Sequence, residues 1–161
     1  MKLIRNDAVA LLASGDCTDA QERSTQMVDE AEGDQPTAGT SLRVLVVDDE
    51  LAIRDLLRST VEALGHEVIC VEDGHKAIKK VKEEPFDIVF LDMVIPGMDG
   101  LEILATIKKM NSDLPVVMMT GFSLEGEMQK AIKLGAVDCI YKTFDRVEGR
   151  EVISRLLKKK E

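Results

Sequence analysis

Short, uninterrupted apolar runs alternate with longer segments of helical periodicity from about residue 42 onward. We predict strands at Arg43–Val47, Glu67–Val71, Phe86–Leu91, Pro115–Met119 and Asp138–Tyr141, and helices at Leu51–Leu64, Asp73–Glu84, Gly100–Met110, Ser123–Leu134 and Val147–Lys160. Strands that are apolar on both faces and separated by helices are typical of a parallel sheet covered on both sides. Right-handed crossovers then predict an α/β fold, a doubly wound three-layer sandwich around a five-stranded parallel sheet.

The first 40 residues differ in composition from the rest of the chain. They carry three Lys or Arg and eight Asp or Glu, and residues 13–41 lack apolar periodicity. Such a segment buries too little apolar surface to offset the entropy lost on ordering. We therefore expect an acidic, disordered tail over residues 1–40 and one domain over residues 41–161. The apolar stretch AVALLA has six residues, which is too short for a secretion signal.

Charge and cysteine content narrow the classes of function. The formal net charge of -9 disfavours nucleic-acid binding, which needs a basic surface. Cys17, Cys70 and Cys139 are widely spaced, which disfavours a disulfide framework or a zinc site and fits a reducing compartment. Apolar runs of membrane-spanning length are absent from the sequence. We expect a cytoplasmic protein that binds neither nucleic acid nor membranes.

Four of the apolar runs end in reactive polar side chains, namely Asp48 with Asp49, Asp92, Thr120 and Lys142. The carboxyl ends of parallel strands meet at one edge of a sheet, so these groups are expected to converge. Carboxylates without nearby His suit Mg²⁺, and without a cation their repulsion would raise at least one pKa. A carboxylate can also form an aspartyl phosphate, with a Lys and a Thr contacting the phosphoryl oxygens. Spacing alone leaves open which carboxylate is the nucleophile.

Two less specific interpretations concern helix capping. Asp48 and Asp49 could act as N-caps of the helix that follows them, because Asp is favoured at that position. Asp99 is expected to cap the helix that begins at Gly100 rather than to bind a metal.

The segments VLVVDDE, FLDMVIPGMDG, VVMMTGF and the pair YK, in this order and spacing, closely resemble the receiver domain of bacterial response regulators. The resemblance covers about residues 42–160 and implies a flavodoxin-like fold with strand order 2-1-3-4-5. It further implies that Asp92 is the phosphoacceptor. Asp49, Asp92 and the backbone carbonyl of Val94 would bind Mg²⁺, and Asp48 would act through a metal-bound water.

The same resemblance assigns the remaining site residues. Thr120, Lys142 and the backbone N–H of Gly121 would contact the phosphoryl group. Two positions depart from the family pattern, because Thr143 stands where a Pro usually follows the Lys and Cys139 stands where a switching Tyr or Phe is usual. A cis bond before Thr costs about 2.5–4 kcal/mol, so we predict a trans Lys142–Thr143 bond. The departures predict intact phosphorylation chemistry with a weaker or altered relay.

The function that follows is a stand-alone response regulator of a two-component system or phosphorelay, not an enzyme acting on external substrates. We expect a sensor histidine kinase or phosphotransfer protein as phosphodonor, and output by contact with an unknown downstream protein, since the sequence ends after the fifth predicted helix. One alternative is a receiver-like binding module that ignores phosphorylation. A Mg²⁺-dependent phosphohydrolase is disfavoured because Asp92 is followed by Met-Val and lacks the DxD pattern of such enzymes.

Overall fold

The computed structural model describes residues 40–121, 125–142 and 146–159. Its strands are β1 (Arg43–Val47), β2 (Glu67–Val71), β3 (Ile88–Asp92), β4 (Val94–Ile95), β5 (Met98–Asp99), β6 (Val116–Thr120) and β7 (Asp138–Tyr141). Its helices are α1 (Leu51–Ala63), α2 (Gly74–Glu83), α3 (Gly100–Met110), α4 (Glu125–Lys133) and α5 (Arg146–Lys158). The tail predicted for residues 1–40 lies outside the described residues except for Thr40. Within the described ranges no helix is long and apolar enough to cross a membrane.

Five strands form one parallel sheet in the order β2-β1-β3-β6-β7. Counted without the short strands β4 and β5, this is the predicted order 2-1-3-4-5, and the doubly wound α/β fold is confirmed. The register aligns Val47 with Leu91, and Asp92 with Met119, so the strand ends that carry polar residues lie at a common edge.

The core lies on both faces of the sheet because alternate residues of each strand point to opposite sides. On one face, Leu45 and Leu91 pack with the apolar side of α3, including Ile103. On the other, Val46 and Phe90 pack against α1 and α5. The central strands β3 and β6 are buried along their whole length, which explains why they are apolar at successive positions.

The predicted bounds of β3 are wrong at both ends, since it spans Ile88–Asp92 and not Phe86–Leu91. Asp87 precedes the strand, and its carboxylate accepts a hydrogen bond of 2.8 Å from the backbone N–H of Arg43. The Asp87 carboxylate therefore accepts the hydrogen bond from β1 that a backbone carbonyl of a β3 residue would otherwise accept. At the other end, Asp92 still pairs with Met119 of β6.

The segment MVIPGMDG, predicted to be a loop, contains the antiparallel pair β4–β5. Gly97 has φ of 86° between the two strands, a conformation that side chains with a Cβ rarely adopt. Each strand has two residues, which is too short for an alternating pattern to be visible in the sequence.

Helix capping agrees with the sequence prediction at α3 and departs from it at α2 and α1. The side chain of Asp99 accepts from the backbone N–H of Leu101, so the predicted cap of α3 is confirmed. Asp73, predicted as the first residue of α2, is its N-cap and accepts from the N–H of Lys76. The N-cap position of α1 is Glu50, and among the described side chains none caps this end. Asp48 and Asp49 are therefore not helix caps.

Candidate functional site at the carboxyl edge of the sheet

The polar residues at the strand ends meet at one edge, as the parallel topology requires. Asp48 follows β1, Asp92 ends β3, Thr120 ends β6 and Lys142 follows β7. Asp48, Asp92 and Thr120 are buried, and the side chain of Lys142 is 7% exposed. The structure therefore brings together the groups that the sequence selected.

Lys142 lies at the centre of this cluster. Its Nζ donates a hydrogen bond of 2.7 Å to Asp92 Oδ2, and lies 2.7 Å from Asp48 Oδ2 and 3.1 Å from Glu50 Oε1. The contact with Asp48 is a short ion pair between two buried side chains. One ammonium group thus faces three carboxylates.

The donor atoms fit a divalent cation with a preference for oxygen ligands. Asp48, Asp49 and Asp92 each offer a carboxylate oxygen, and these oxygens lie within 4.8 Å of one another. Asp49 is exposed while the other two are buried, so the cluster opens to solvent on one side. Carboxylates together with water are the usual ligands of protein-bound Mg²⁺.

The ionisation of the cluster also favours added positive charge. Burial raises the pKa of Asp48 and of Asp92, and the charge of Asp48 adds to the rise at Asp92. Burial acts to lower the pKa of Lys142, but its contacts with Asp48 and Asp92 outweigh burial and raise that pKa. The rise expected from the sequence is present, but its largest cause is burial and not repulsion between carboxylates.

The hairpin β4–β5 shapes the approach to Asp92. Asp92 Oδ1 accepts a hydrogen bond of 3.1 Å from the backbone N–H of Val94, and this orients the carboxylate. Val94 itself is 62% exposed. Gly100, the first residue of α3, lies against this turn, and its N–H donates to the carbonyl of Met93 at 3.2 Å.

The other predicted site residues lie where β6 and β7 end. The backbone N–H of Lys142 donates to the carbonyl of Thr120 at 2.8 Å, and Gly121 follows at the exposed edge. Cys139 is half-buried in β7, and its Sγ lies 3.9 Å from the carbonyl oxygen of Met128 in α4. Burial and the charge of Asp138 raise the pKa of the Cys139 thiol. Thr143, and with it the predicted trans bond, lies outside the described residues.

Two residues of this site were missed by sequence reasoning. Glu50 contacts Lys142, and the guanidinium of Arg54 donates to the backbone carbonyls of Asp48 and Asp49. The spacing of four between Glu50 and Arg54 places them on one side of a helix start, which was a weak signal for a shared role. Their contacts depend on tertiary distances that the spacing does not specify.

The model of the response regulator receiver domain family matches residues 44–154. The match covers more than half of the chain, and the protein belongs to the response regulator receiver domain family. It is thus a receiver domain of two-component signalling. Receiver domains generally are signalling modules rather than enzymes, bind Mg²⁺ at an acidic pocket, and interact with histidine kinases or phosphotransfer proteins.

Several solved structures resemble this fold over about three quarters of the chain. A CheY-like response regulator receiver domain protein from Methanospirillum hungatei JF-1 is 29% identical, with a TM-score of 0.68 over 75% of this chain and 97% of that chain. The chemotaxis response regulator CheY4 of Vibrio cholerae is 28% identical, with a TM-score of 0.67 over 73% and 99%. NtrX from Brucella abortus is 36% identical, with a TM-score of 0.69 over 75% of this chain and 28% of its longer chain.

Proposed function

We propose that this receiver accepts a phosphoryl group on Asp92 from a phosphohistidine of a sensor kinase or phosphotransfer protein, and signals by contact with another protein. The observation that carries the proposal is the position of Asp92. Its Oδ2 is paired with Lys142, its Oδ1 with the N–H of Val94, and its carboxylate lies in the acidic cluster with Asp48 and Asp49.

The transfer proposed here is a displacement at phosphorus. A carboxylate oxygen of Asp92 forms a bond to phosphorus while the P–N bond of the phosphohistidine breaks. The imidazole nitrogen leaves with the electron pair of that bond and takes up a proton. Later attack of water on phosphorus releases inorganic phosphate and restores the carboxylate. The receiver thus acts on its own residue, which differs from turnover of an external substrate.

The neighbouring residues have separate roles in this proposal. Lys142 holds its positive charge beside the oxygen of Asp92 and would pair with the phosphoryl oxygens. At the carboxyl end of β6, the hydroxyl of Thr120 and the N–H of Gly121 would donate hydrogen bonds to the phosphoryl oxygens. Asp49, Asp92 and the carbonyl of Val94 would hold Mg²⁺, with Asp48 acting through a bound water. The ion, when bound, would neutralise charge on the carboxylates and phosphoryl oxygens.

The proposed transfer can be tested by intact-mass measurement after incubation with acetyl phosphate and Mg²⁺. The wild-type protein is expected to gain the mass of one phosphoryl group, and Asp92→Asn is expected to gain none. The exposed Asp113 provides a matched control, and Asp113→Asn should gain mass as the wild type does.

Three outcomes would contradict the proposal in different ways. If the wild-type protein takes up no phosphoryl group from acetyl phosphate or from phosphorylated histidine kinases, the proposed function is wrong and a phosphorylation-independent binding module becomes the better account. If uptake persists in Asp92→Asn, only the choice of acceptor is wrong. Hydrolysis of many molecules of a phosphate monoester per protein would instead favour a phosphohydrolase.

A further inference from the structure

We infer that Arg54 is a positioning residue for the divalent cation: its guanidinium holds the backbone that presents Asp48 and Asp49. Arg54 Nη1 donates to the carbonyl of Asp48 at 2.7 Å and to the carbonyl of Asp49 at 2.9 Å. One nitrogen therefore bridges the two consecutive residues that supply carboxylates to the cluster. The inference rests on the proposed function, because it concerns the Mg²⁺ site assigned there.

The fold explains how a helical residue reaches this turn. Side chains on a helix tilt toward its N-terminus, so a long side chain in the second turn of α1 can return to the residues before the helix. The backbone N–H of Arg54 donates to the carbonyl of Glu50 at 3.1 Å, which is the first bond of the helical ladder. The carbonyls of Asp48 and Asp49 precede that ladder and need other donors. Arg54 supplies a donor to both.

Other hydrogen bonds hold the remaining groups of the turn formed by residues 48–50. Arg54 donates to the carbonyls of Asp48 and Asp49 in this turn. The N–H of Asp48 donates to the carbonyl of Val71 at 3.1 Å, and Asp48 Oδ1 accepts from the N–H of Glu50 at 2.9 Å. These bonds orient the start of the turn and one oxygen of Asp48. The orientation of the peptide between Asp48 and Asp49 determines where the carboxylate of Asp49 points, and the bridge from Arg54 restrains that peptide.

Charge and position predict opposite effects when Arg54 is replaced. A guanidinium close to a cation site repels the cation, so the loss of its charge alone would strengthen Mg²⁺ binding. The loss of a residue that orients ligands weakens metal binding, typically by about 10-fold to 100-fold. The sign of the change therefore separates a positioning role from a simple electrostatic one.

The experiment is a calorimetric titration of the full chain with MgCl₂, without a phosphodonor. Arg54→Met is expected to bind Mg²⁺ about 10-fold more weakly than the wild type. Arg58 lies one turn further along α1, is exposed, and contacts Asp55 at 3.9 Å, so Arg58→Met is the matched control and should bind as the wild type does. Arg54→Lys keeps the charge with fewer fixed donors and should lie between the two.

The same variants separate positioning from loss of the fold. Far-UV circular dichroism and urea unfolding show which variants fold, and Mg²⁺ affinities are compared only among the folded ones. If Arg54→Met does not fold, weaker Mg²⁺ binding by Arg54→Lys provides the test. Wild-type-like or tighter binding by the folded Arg54 variants would overturn the inference while the proposed function stands. A wild-type protein that does not bind Mg²⁺ would overturn the metal site and the inference together.

Discussion

Lys142 couples the carboxylates of Asp48 and Asp92, which belong to different parts of the sequence. Its ammonium lies 2.7 Å from oxygens of Asp48 and Asp92, whose side chains are 0% and 4% exposed. Charged groups this deeply buried are tolerated when they are paired. Removal of the lysine would leave buried carboxylates with uncompensated charge, which is more costly than the loss of the ion pair itself.

We predict that Lys142→Met destabilises the protein by about 3 kcal/mol near neutral pH, at the lower end of the range for breaking a buried pair because exposed Asp49 admits water. Urea unfolding measures the change. Mg²⁺ should recover part of the loss, since it neutralises the same carboxylates. Lys109→Met, at an exposed position in α3, should change stability by no more than about 0.5 kcal/mol. An unchanged unfolding free energy in Lys142→Met would contradict the geometry described for this residue.

At the scale of elements, α3 begins unusually close to the end of β3. A Cβ placed on Gly100 would lie 2.6 Å from the carbonyl oxygens of Asp92 and Met93. Both neighbours are backbone atoms, so a side chain at this position requires a shift of the helix or of the strand end. The glycine therefore sets the distance between α3 and the residue proposed as acceptor.

Gly100→Ala is predicted to destabilise the protein by about 1–3 kcal/mol, because the added methyl group overpacks a buried contact. Gly126 in α4 is the matched control, since a Cβ there meets nothing within 4 Å. Gly126→Ala should be neutral or stabilise by up to about 1 kcal/mol, as expected for an exposed helical glycine. Equal effects of the two substitutions on urea unfolding would refute the steric argument.

Glu84, directly after α2, forms ion pairs that connect the end of this helix with β1. Glu84 binds Lys80 Nζ at 2.7 Å and Arg43 Nη2 at 2.8 Å, and these partners lower its pKa from the ordinary value of 4.5. A carboxyl with a lowered pKa in the folded state stabilises the fold above its unfolded pKa, and this contribution is lost as pH falls through the folded pKa.

Glu84→Gln should therefore be less stable than the wild type at pH 7, and the difference should shrink as the pH is lowered below about 4.5, the ordinary value for Glu. Denaturant unfolding at a series of pH values measures the difference. Glu83→Gln is the control, because Glu83 has a longer contact of 3.8 Å to Lys79. A difference for Glu84→Gln that grows at acid pH would have the wrong sign for this account.

At the scale of the whole molecule, the parallel sheet covered on both faces could be predicted from apolar runs and segment lengths, whereas its strand order was implied by the resemblance to receiver domains. The helix Gly100–Met110 and the strand Asp138–Tyr141 have the predicted bounds. The bounds of β3 could not be predicted, because the apolar pattern does not reveal that the carboxylate of Asp87 bonds to the backbone of β1. The hairpin β4–β5 depends on a turn at Gly97 and has no periodicity to detect.

The part of the candidate site that depends on strand topology could be predicted from the sequence. Parallel strands bring Asp48, Asp92 and Lys142 together wherever their side chains point, so their convergence followed from the sequence. The contacts of Glu50 and Arg54 depend on how side chains bend back over the start of α1, which spacing alone does not specify. The balance between burial and repulsion in the pKa values also required the folded structure.

The central claim is that Asp92, and neither Asp48 nor Asp49, becomes phosphorylated. Borohydride reduces an aspartyl phosphate to homoserine, and trypsin separates the candidates, since cleavage after Arg43 and Arg54 isolates residues 44–54 and cleavage after Lys82 and Lys108 isolates residues 83–108. After treatment with acetyl phosphate and Mg²⁺, tandem mass spectrometry should find homoserine at position 92. Homoserine at position 48 or 49, or at neither peptide, would contradict the account.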